Sequence, residues 1–172
     1  TNYCRKKQLI LIVYQGQFLT RMKFTIAVST RLSSAIGYEE DRDSISRDWI
    51  KLFSKLSINN YILLPNIKTD LIIEYCNYHS VNGFLLTGGD ILGKDKLRDK
   101  LEFSALNLAR ERSLKVLGIC RGMQVLSSFF GGTQKSVDGH LSTTHKIDDS
   151  TSRHVNSYHS FAIENLPECF NV

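Results

Sequence analysis

No apolar run in this 172-residue sequence approaches the ~20 residues that a membrane-spanning helix needs, so a helical span is excluded within it. Cysteine is sparse and scattered. Cys4, Cys76, Cys120 and Cys169 form neither a zinc-ligand spacing nor a dense disulfide framework. Isolated thiols of this kind suit a reducing, cytoplasmic setting. Acidic residues are absent from residues 1–21, which carry Arg5, Lys6, Lys7 and Arg21, while residues 22–172 are close to neutral at +1. The net charge of +5 therefore belongs mostly to the leading segment. A nucleic-acid binder needs a basic stripe on its folded body, and this body has none. The leading segment also lacks the makings of a secretory signal: its apolar run, Leu9 to Tyr14, is short and leads into Gln15-Gly16-Gln17.

What is present reads as one α/β domain. Apolar residues are 42% and charged residues 23%, an ordinary globular balance for a chain of this length. The first methionine, Met22, opens a β-type segment. Residues 1–21 are therefore expected to be an extension outside a working domain of residues 22–172, with an added edge strand at Leu9–Tyr14 as the alternative. Strands are predicted at Phe24–Thr30, Tyr61–Leu64 (stopped by Pro65), Gly83–Thr87 and Lys115–Ile119. Apolar spacing predicts helices over Ser44–Leu56, Asp70–His79, Asp95–Arg112 and Gly122–Phe130. In the third of these Leu97, Leu101, Leu106 and Leu108 are assigned to the core. The alternating order implies a mostly parallel sheet with helices on both faces. Beyond residue 133 the pattern turns to short β-type pieces, with a turn at Asp148–Ser150 and a new strand expected to begin within Leu166–Val172.

Ligands of open parallel sheets sit outside the carboxyl ends of the strands. Two strands end there in unusual sequence, Thr87-Gly88-Gly89-Asp90 and Gly118-Ile119-Cys120-Arg121-Gly122. The second has the form of a nucleophile elbow with cysteine as the nucleophile. A tight strand-to-helix turn leaves no room for side chains two residues either side, which asks for glycine. A helix start stabilises a thiolate, and the Arg121 N–H is placed to donate to a developing oxyanion. A core cysteine closing a strand is the commoner state of a free thiol. The flanking glycines and Gln124 argue for the nucleophile instead. Three further features are more ambiguous. His140, His145 and His154 with Asp148 and Asp149 match no metal-ligand spacing, and no metal is expected. Arg42-Asp43 reads equally as a surface ion pair and as a substrate contact. Cys76 and Cys169 read as packing residues.

Gly118-Ile119-Cys120-Arg121-Gly122-Met123-Gln124, preceded by Leu85-Leu86-Thr87-Gly88-Gly89-Asp90, resembles the class I glutamine amidotransferases. The Cys-Arg-Gly form is similar to their γ-glutamyl hydrolase branch, as is Asn156–Ile163 to a segment lining the glutamine site. Within that branch, Met22–Leu32, Tyr38–Phe53 and Ser127–Gly131 resemble the γ-glutamyl-CDP-amidate hydrolase type, which serves capsule synthesis. The resemblance implies a flavodoxin-like domain acting on a small-molecule γ-glutamyl substrate, with no cofactor, nucleic acid or membrane. It implies Cys120 as nucleophile, Gly89 and Arg121 as oxyanion donors, and Gln124, His159, Ser160 and Phe161 as substrate-binding residues. A synthase partner or a homodimer stays open, as does a non-catalytic role. The family's histidine and glutamate stand in a His-x-Glu pair. None of the five histidines here has Glu two positions later, so the pair is expected beyond Val172, in a C-terminally truncated domain.

Overall fold

The computed structural model describes residues 24–146 and 153–171. The expected extension over residues 1–21, with its alternative edge strand, and the turn at Asp148–Ser150 lie outside the described residues.

Four parallel strands form the central sheet: β1 (Thr25–Ser29), β4 (Tyr61–Leu64), β5 (Val81–Leu86) and β6 (Lys115–Gly118). Their spatial order is β4-β1-β5-β6. The second strand of the sheet thus lies on one side of the first, and the third and fourth on the other. This is the flavodoxin-like winding, with its switch point beside β1. Between β1 and β4 comes an antiparallel hairpin, β2 (Arg31–Ser34) with β3 (Asp41–Ser44), followed by α1 (Arg47–Lys55). The hairpin is absent from the sequence reading, which began its helix at Ser44. The helix starts later because the Ser46 hydroxyl caps it, accepting the Asp48 N–H at 3.3 Å. A 3-10 turn (Thr69–Leu71) and α2 (Ile72–Tyr78) precede β5, α3 (Lys96–Arg112) precedes β6, and α4 (Arg121–Phe129) follows it.

Strand alternation sends Ala27, Phe84, Leu86 and Val116 to one face, where they form the main core with Ile72 and Cys76 of α2, Leu101, Ala105 and Leu106 of α3, and Val125 of α4. The other face carries Val28 and Leu85, packed against Phe53 of α1 with Trp49 and Tyr61 around them. Among the described residues, helices therefore flank both faces, three on one and one on the other. Leu97 departs from the expected stripe: it is 44% exposed, because it sits one residue before Arg98, whose side chain takes the inward position. Among the described residues no helix is long and apolar enough to cross a membrane.

Among the described residues, four more strands follow α4. β7 (Thr133–Ser136) pairs antiparallel with β10 (Phe161–Asn165), and β8 (Leu141–Lys146) with β9 (His154–Tyr158). The strand expected to begin within Leu166–Val172 does not form over the described residues there. Glu168 and Cys169 lie in a turn, which the Phe170 N–H closes on the Pro167 carbonyl at 3.0 Å, and Phe170 packs edge-on against Phe130.

Candidate active site

Register places the two unusual strand ends together. Leu86, the last residue of β5, pairs with Gly118, the last of β6, so Thr87-Gly88-Gly89 and Ile119-Cys120 leave the sheet side by side. The Ile119 N–H donates to the Leu86 carbonyl at 3.0 Å and extends the pairing one step further.

Cys120 is the N-cap of α4 and has φ 55° and ψ −113°. A β-carbon is strained in that region, and residues held so cost about 1–3 kcal/mol. Its neighbours show what enforces the turn. A β-carbon on Gly118 would stand 2.5 Å from the Gly122 carbonyl oxygen, and one on Gly122 would stand 2.1 Å from that of Leu86. Backbone crosses backbone at both points, so both positions require glycine. The result holds Cys120 exposed at the head of a helix. Arg121 is the first helical residue, and its N–H has no carbonyl one turn back to receive it.

The Thr87–Gly89 turn packs directly on this elbow. A β-carbon on Gly88 would lie 3.5 Å from the Cys120 Cβ and 3.9 Å from its Sγ. Gly89 has φ +139°, and a β-carbon there would meet Arg98 Nη1 at 2.6 Å and the Arg31 Cβ at 3.6 Å. Thr87 is tied to the end of β1: its N–H donates to Ser29 Oγ at 3.0 Å and its hydroxyl to the Ser29 carbonyl at 2.9 Å. Asp90 accepts from Lys94 rather than from the elbow. It pairs with Lys94 at 2.8 Å, and that hydrogen bond, aided by the charges of Lys94, Arg31 and Arg98, holds its carboxyl below the ordinary range.

Arg121's side chain turns away from the thiol. It is 1% exposed and reaches under the loop to Glu102 and Asp99 of α3. Arg98, also 1% exposed, joins the same group through Glu102. Burial pulls the Arg98 pKa down, and the Glu102 carboxylate opposes that pull. The sequence reading missed this cluster by treating α3 as a plain apolar stripe. The signal was there, since Arg98 and Glu102 are spaced i, i+4 on the face that also carries Leu101 and Ala105.

The predicted substrate segment lies against α4. Gln124 Nε2 donates to the Phe161 carbonyl at 2.8 Å, and His159 Nδ1 lies 2.9 Å from the same oxygen. Ser160 accepts from the Val137 N–H at 2.9 Å through its carbonyl. The structure thus brings Cys120, Gly89 and Arg121 into one turn-and-elbow unit, and joins Gln124 to His159 and Phe161. The His159 ring lies tilted against His140 at 4.9 Å, and His140 meets His145 edge-on at 4.7 Å. Among the described residues no three His, Cys, Asp or Glu side chains are placed to hold a metal ion. Asp43 is exposed, but its carboxylate accepts from Thr30 Oγ1 at 3.1 Å and the Asn66 N–H at 3.1 Å, which anchors the β2–β3 hairpin; Arg42 pairs with Glu40 at the surface.

The family model for class-I glutamine amidotransferases matches residues 42–172. A gamma-glutamyl-CDP-amidate hydrolase of Campylobacter jejuni is 31% identical over 150 residues, which is 83% of this chain and 74% of that protein. A solved glutamine amidotransferase from Thermotoga maritima shares the fold with TM-score 0.56 at 14% identity, over 86% of this chain and 65% of its own. A putative GMP synthase component from Thermoplasma acidophilum does so with TM-score 0.55 at 20% identity, over 86% of this chain and 70% of its own.

Proposed function

The chain belongs to the class-I glutamine amidotransferase family, and on that premise we propose that it is a cysteine hydrolase of γ-glutamyl amides. The observation that carries this reading is the elbow itself: an exposed cysteine held at φ 55° between two glycines that tolerate no side chain. Such strain persists only where the surroundings enforce it, and it projects the thiol toward a ligand.

In this reading the Cys120 thiolate adds to the γ-carbonyl carbon, and the carbonyl electron pair moves onto oxygen. The Gly89 and Arg121 N–H groups receive that charge. The tetrahedral species collapses to a γ-glutamyl thioester as the C–N bond breaks. The leaving nitrogen takes the proton that the thiol gave to a base. Water, deprotonated by that base, then opens the thioester and frees glutamate and the thiol. Gln124, His159, Ser160 and Phe161 hold the glutamyl part. The base is the histidine of the family's His-x-Glu pair, a pattern that no histidine of this sequence shows.

The likeness to the Campylobacter hydrolase supports a γ-glutamyl-CDP-amidate as the substrate. Arg31 adds to that support, since it lies against the Gly89 turn, where its charge would meet the phosphates of such a leaving group. A synthase-coupled glutaminase is the rival within the family, and the GMP synthase relative above is its support.

The test is glutamate release from a γ-glutamyl amide by a chain that carries the His-x-Glu pair, with mass mapping of the trapped acyl-enzyme to Cys120. Acylation mapped to Cys76 or Cys169 would refute the reading. Arg31→Ala is expected to raise KM for γ-glutamyl-CDP-amidate about tenfold, the worth of one charge-assisted contact. The same change should leave KM for γ-glutamyl-p-nitroanilide within about twofold, since a neutral leaving group forfeits only a fraction of such a contact. Equal shifts for both would argue against the phosphate reading.

A further inference from the structure

The elbow and the Thr87–Gly89 turn come from different parts of the chain, yet their N–H groups must point at one oxygen. Gly89 makes this harder, because glycine leaves its own peptide free to rotate. The buried group of charges beneath the turn supplies the missing constraint. Arg98 Nη2 donates to the Thr87 carbonyl and hydroxyl, both at 3.1 Å, and to the Gly88 carbonyl at 3.2 Å. No peptide bond among the described residues is cis, so the Gly88 carbonyl and the Gly89 N–H of that peptide point in opposite directions. Holding the carbonyl toward Arg98 therefore turns the Gly89 N–H away from the guanidinium. A flipped peptide would set an N–H against a group made only of donors. A flip would cost Arg98 Nη2 the Gly88 carbonyl and leave it the two Thr87 oxygens, while Nη1, already buried without a partner, would gain no acceptor.

Arg98 is in turn held by the elbow. Its Nε donates to Glu102 Oε1 at 3.0 Å, and the other oxygen of Glu102 receives Arg121 Nη1. Glu102 is fully buried, so neither arginine can leave it without stranding a charge. We infer that Arg98 is a positioning residue that orients the Gly88–Gly89 peptide for oxyanion binding, and that Glu102 couples this peptide to Arg121 so that both donors are set together. This rests on the reading of Gly89 and Arg121 as the oxyanion donors.

The test compares two reactions of Cys120 in the full chain. With p-nitrophenyl acetate the sulfur adds to the carbonyl carbon, an oxyanion forms, and p-nitrophenolate leaves as it collapses. With iodoacetamide the S–C bond forms as the C–I bond breaks, iodide leaves, and no oxyanion is involved. Arg98→Lys keeps the buried charge but cannot reach Glu102 and the Gly88 carbonyl together. It is expected to slow acylation about 10- to 100-fold, at or below the ~10²–10³-fold for losing an oxyanion donor outright, because the donor is misaimed rather than removed. Alkylation should stay within about twofold, because the thiol's own environment is untouched. Arg98→Met should lower the ratio of the two rates at least as far. An unchanged ratio, or a parallel fall in both reactions, would overturn the inference. So would unfolding of both variants, which would make the cluster a determinant of the fold instead. If the unaltered chain forms no γ-glutamyl thioester at Cys120 from γ-glutamyl-p-nitroanilide while the ratio still collapses in Arg98→Lys, the substrate reading fails and this inference stands.

Discussion

Cys120 shows how a single residue trades stability for placement. Its backbone occupies a region suited to glycine, so Cys120→Gly removes strain together with the thiol. The variant is expected to be inactive yet more stable by about 1 kcal/mol, a rise of ~2–4 °C in Tm for a chain of this size. An unchanged or lower Tm would mean that the turn is not strained. Cys76 behaves in the opposite way. Burial on α2 pushes its thiol up to about 11, against a small opposing effect from Arg112. The folded state then keeps a proton that an unfolded thiol releases near its ordinary 9.0. The resulting stability is complete below that pH and is lost as pH rises toward 11. The loss is about 2–3 kcal/mol in all, at roughly 1.4 kcal/mol per pKa unit. Urea midpoints measured from pH 7 to 10.5 should therefore fall more steeply for the natural chain than for Cys76→Ala.

At the scale of elements, the site depends on how closely α4 approaches β5. Gly122 is the contact, and the atoms its β-carbon would strike are backbone, so no rotamer change relieves the clash. Gly122→Ala is expected to cost about 3 kcal/mol or more, or to prevent folding, with a matching loss of urea midpoint. A cost below ~1 kcal/mol would show that the helix can shift, and the elbow geometry would then be softer than described. The same approach aligns the two strand ends. Helix α3 contributes from the other direction, since Asp95 caps it by accepting the Leu97 and Arg98 N–H groups at 3.1 Å. That cap fixes where the helix begins, and hence where Arg98 and Glu102 fall beneath the turn.

For the whole molecule, the two sheet faces are unequally dressed. Leu117 of β6 pairs in register with Leu85 but is 38% exposed, on the face where α1 is the only covering helix among the described residues. The chemistry is unequal as well. The 172 residues hold the elbow, the turn and the glutamyl-binding segment, but no histidine followed two positions later by glutamate. By themselves they are expected to form the thioester slowly and to release glutamate near background. Thiol activation survives in part without a base, whereas water attack does not, and acid–base help is worth ~10²–10⁴-fold. A glutamate-release assay against a longer chain carrying the pair checks this. Comparable turnover by the 172 residues would make His159 or His154 the candidate base.

Much of this protein was legible in the order of its residues. The alternation of short apolar runs with helical spacing specifies a parallel α/β sheet, because each period buries one side of its element. The Gly-x-Cys-x-Gly pattern specifies the elbow, because only glycine survives where backbone meets backbone. The polar hairpin β2–β3 was not legible, since Arg31-Leu32-Ser33-Ser34 carries almost no apolar alternation and is held by Asp43 across the chain to Asn66 and Thr30. Nor was the direction of Arg121, whose side chain follows the thiol directly in sequence and in space is a strut beneath the elbow. That outcome belongs to tertiary structure alone. A charged side chain goes where a buried partner satisfies it, and Glu102 lies 19 residues away in sequence, brought under the elbow only when α3 packs against α4.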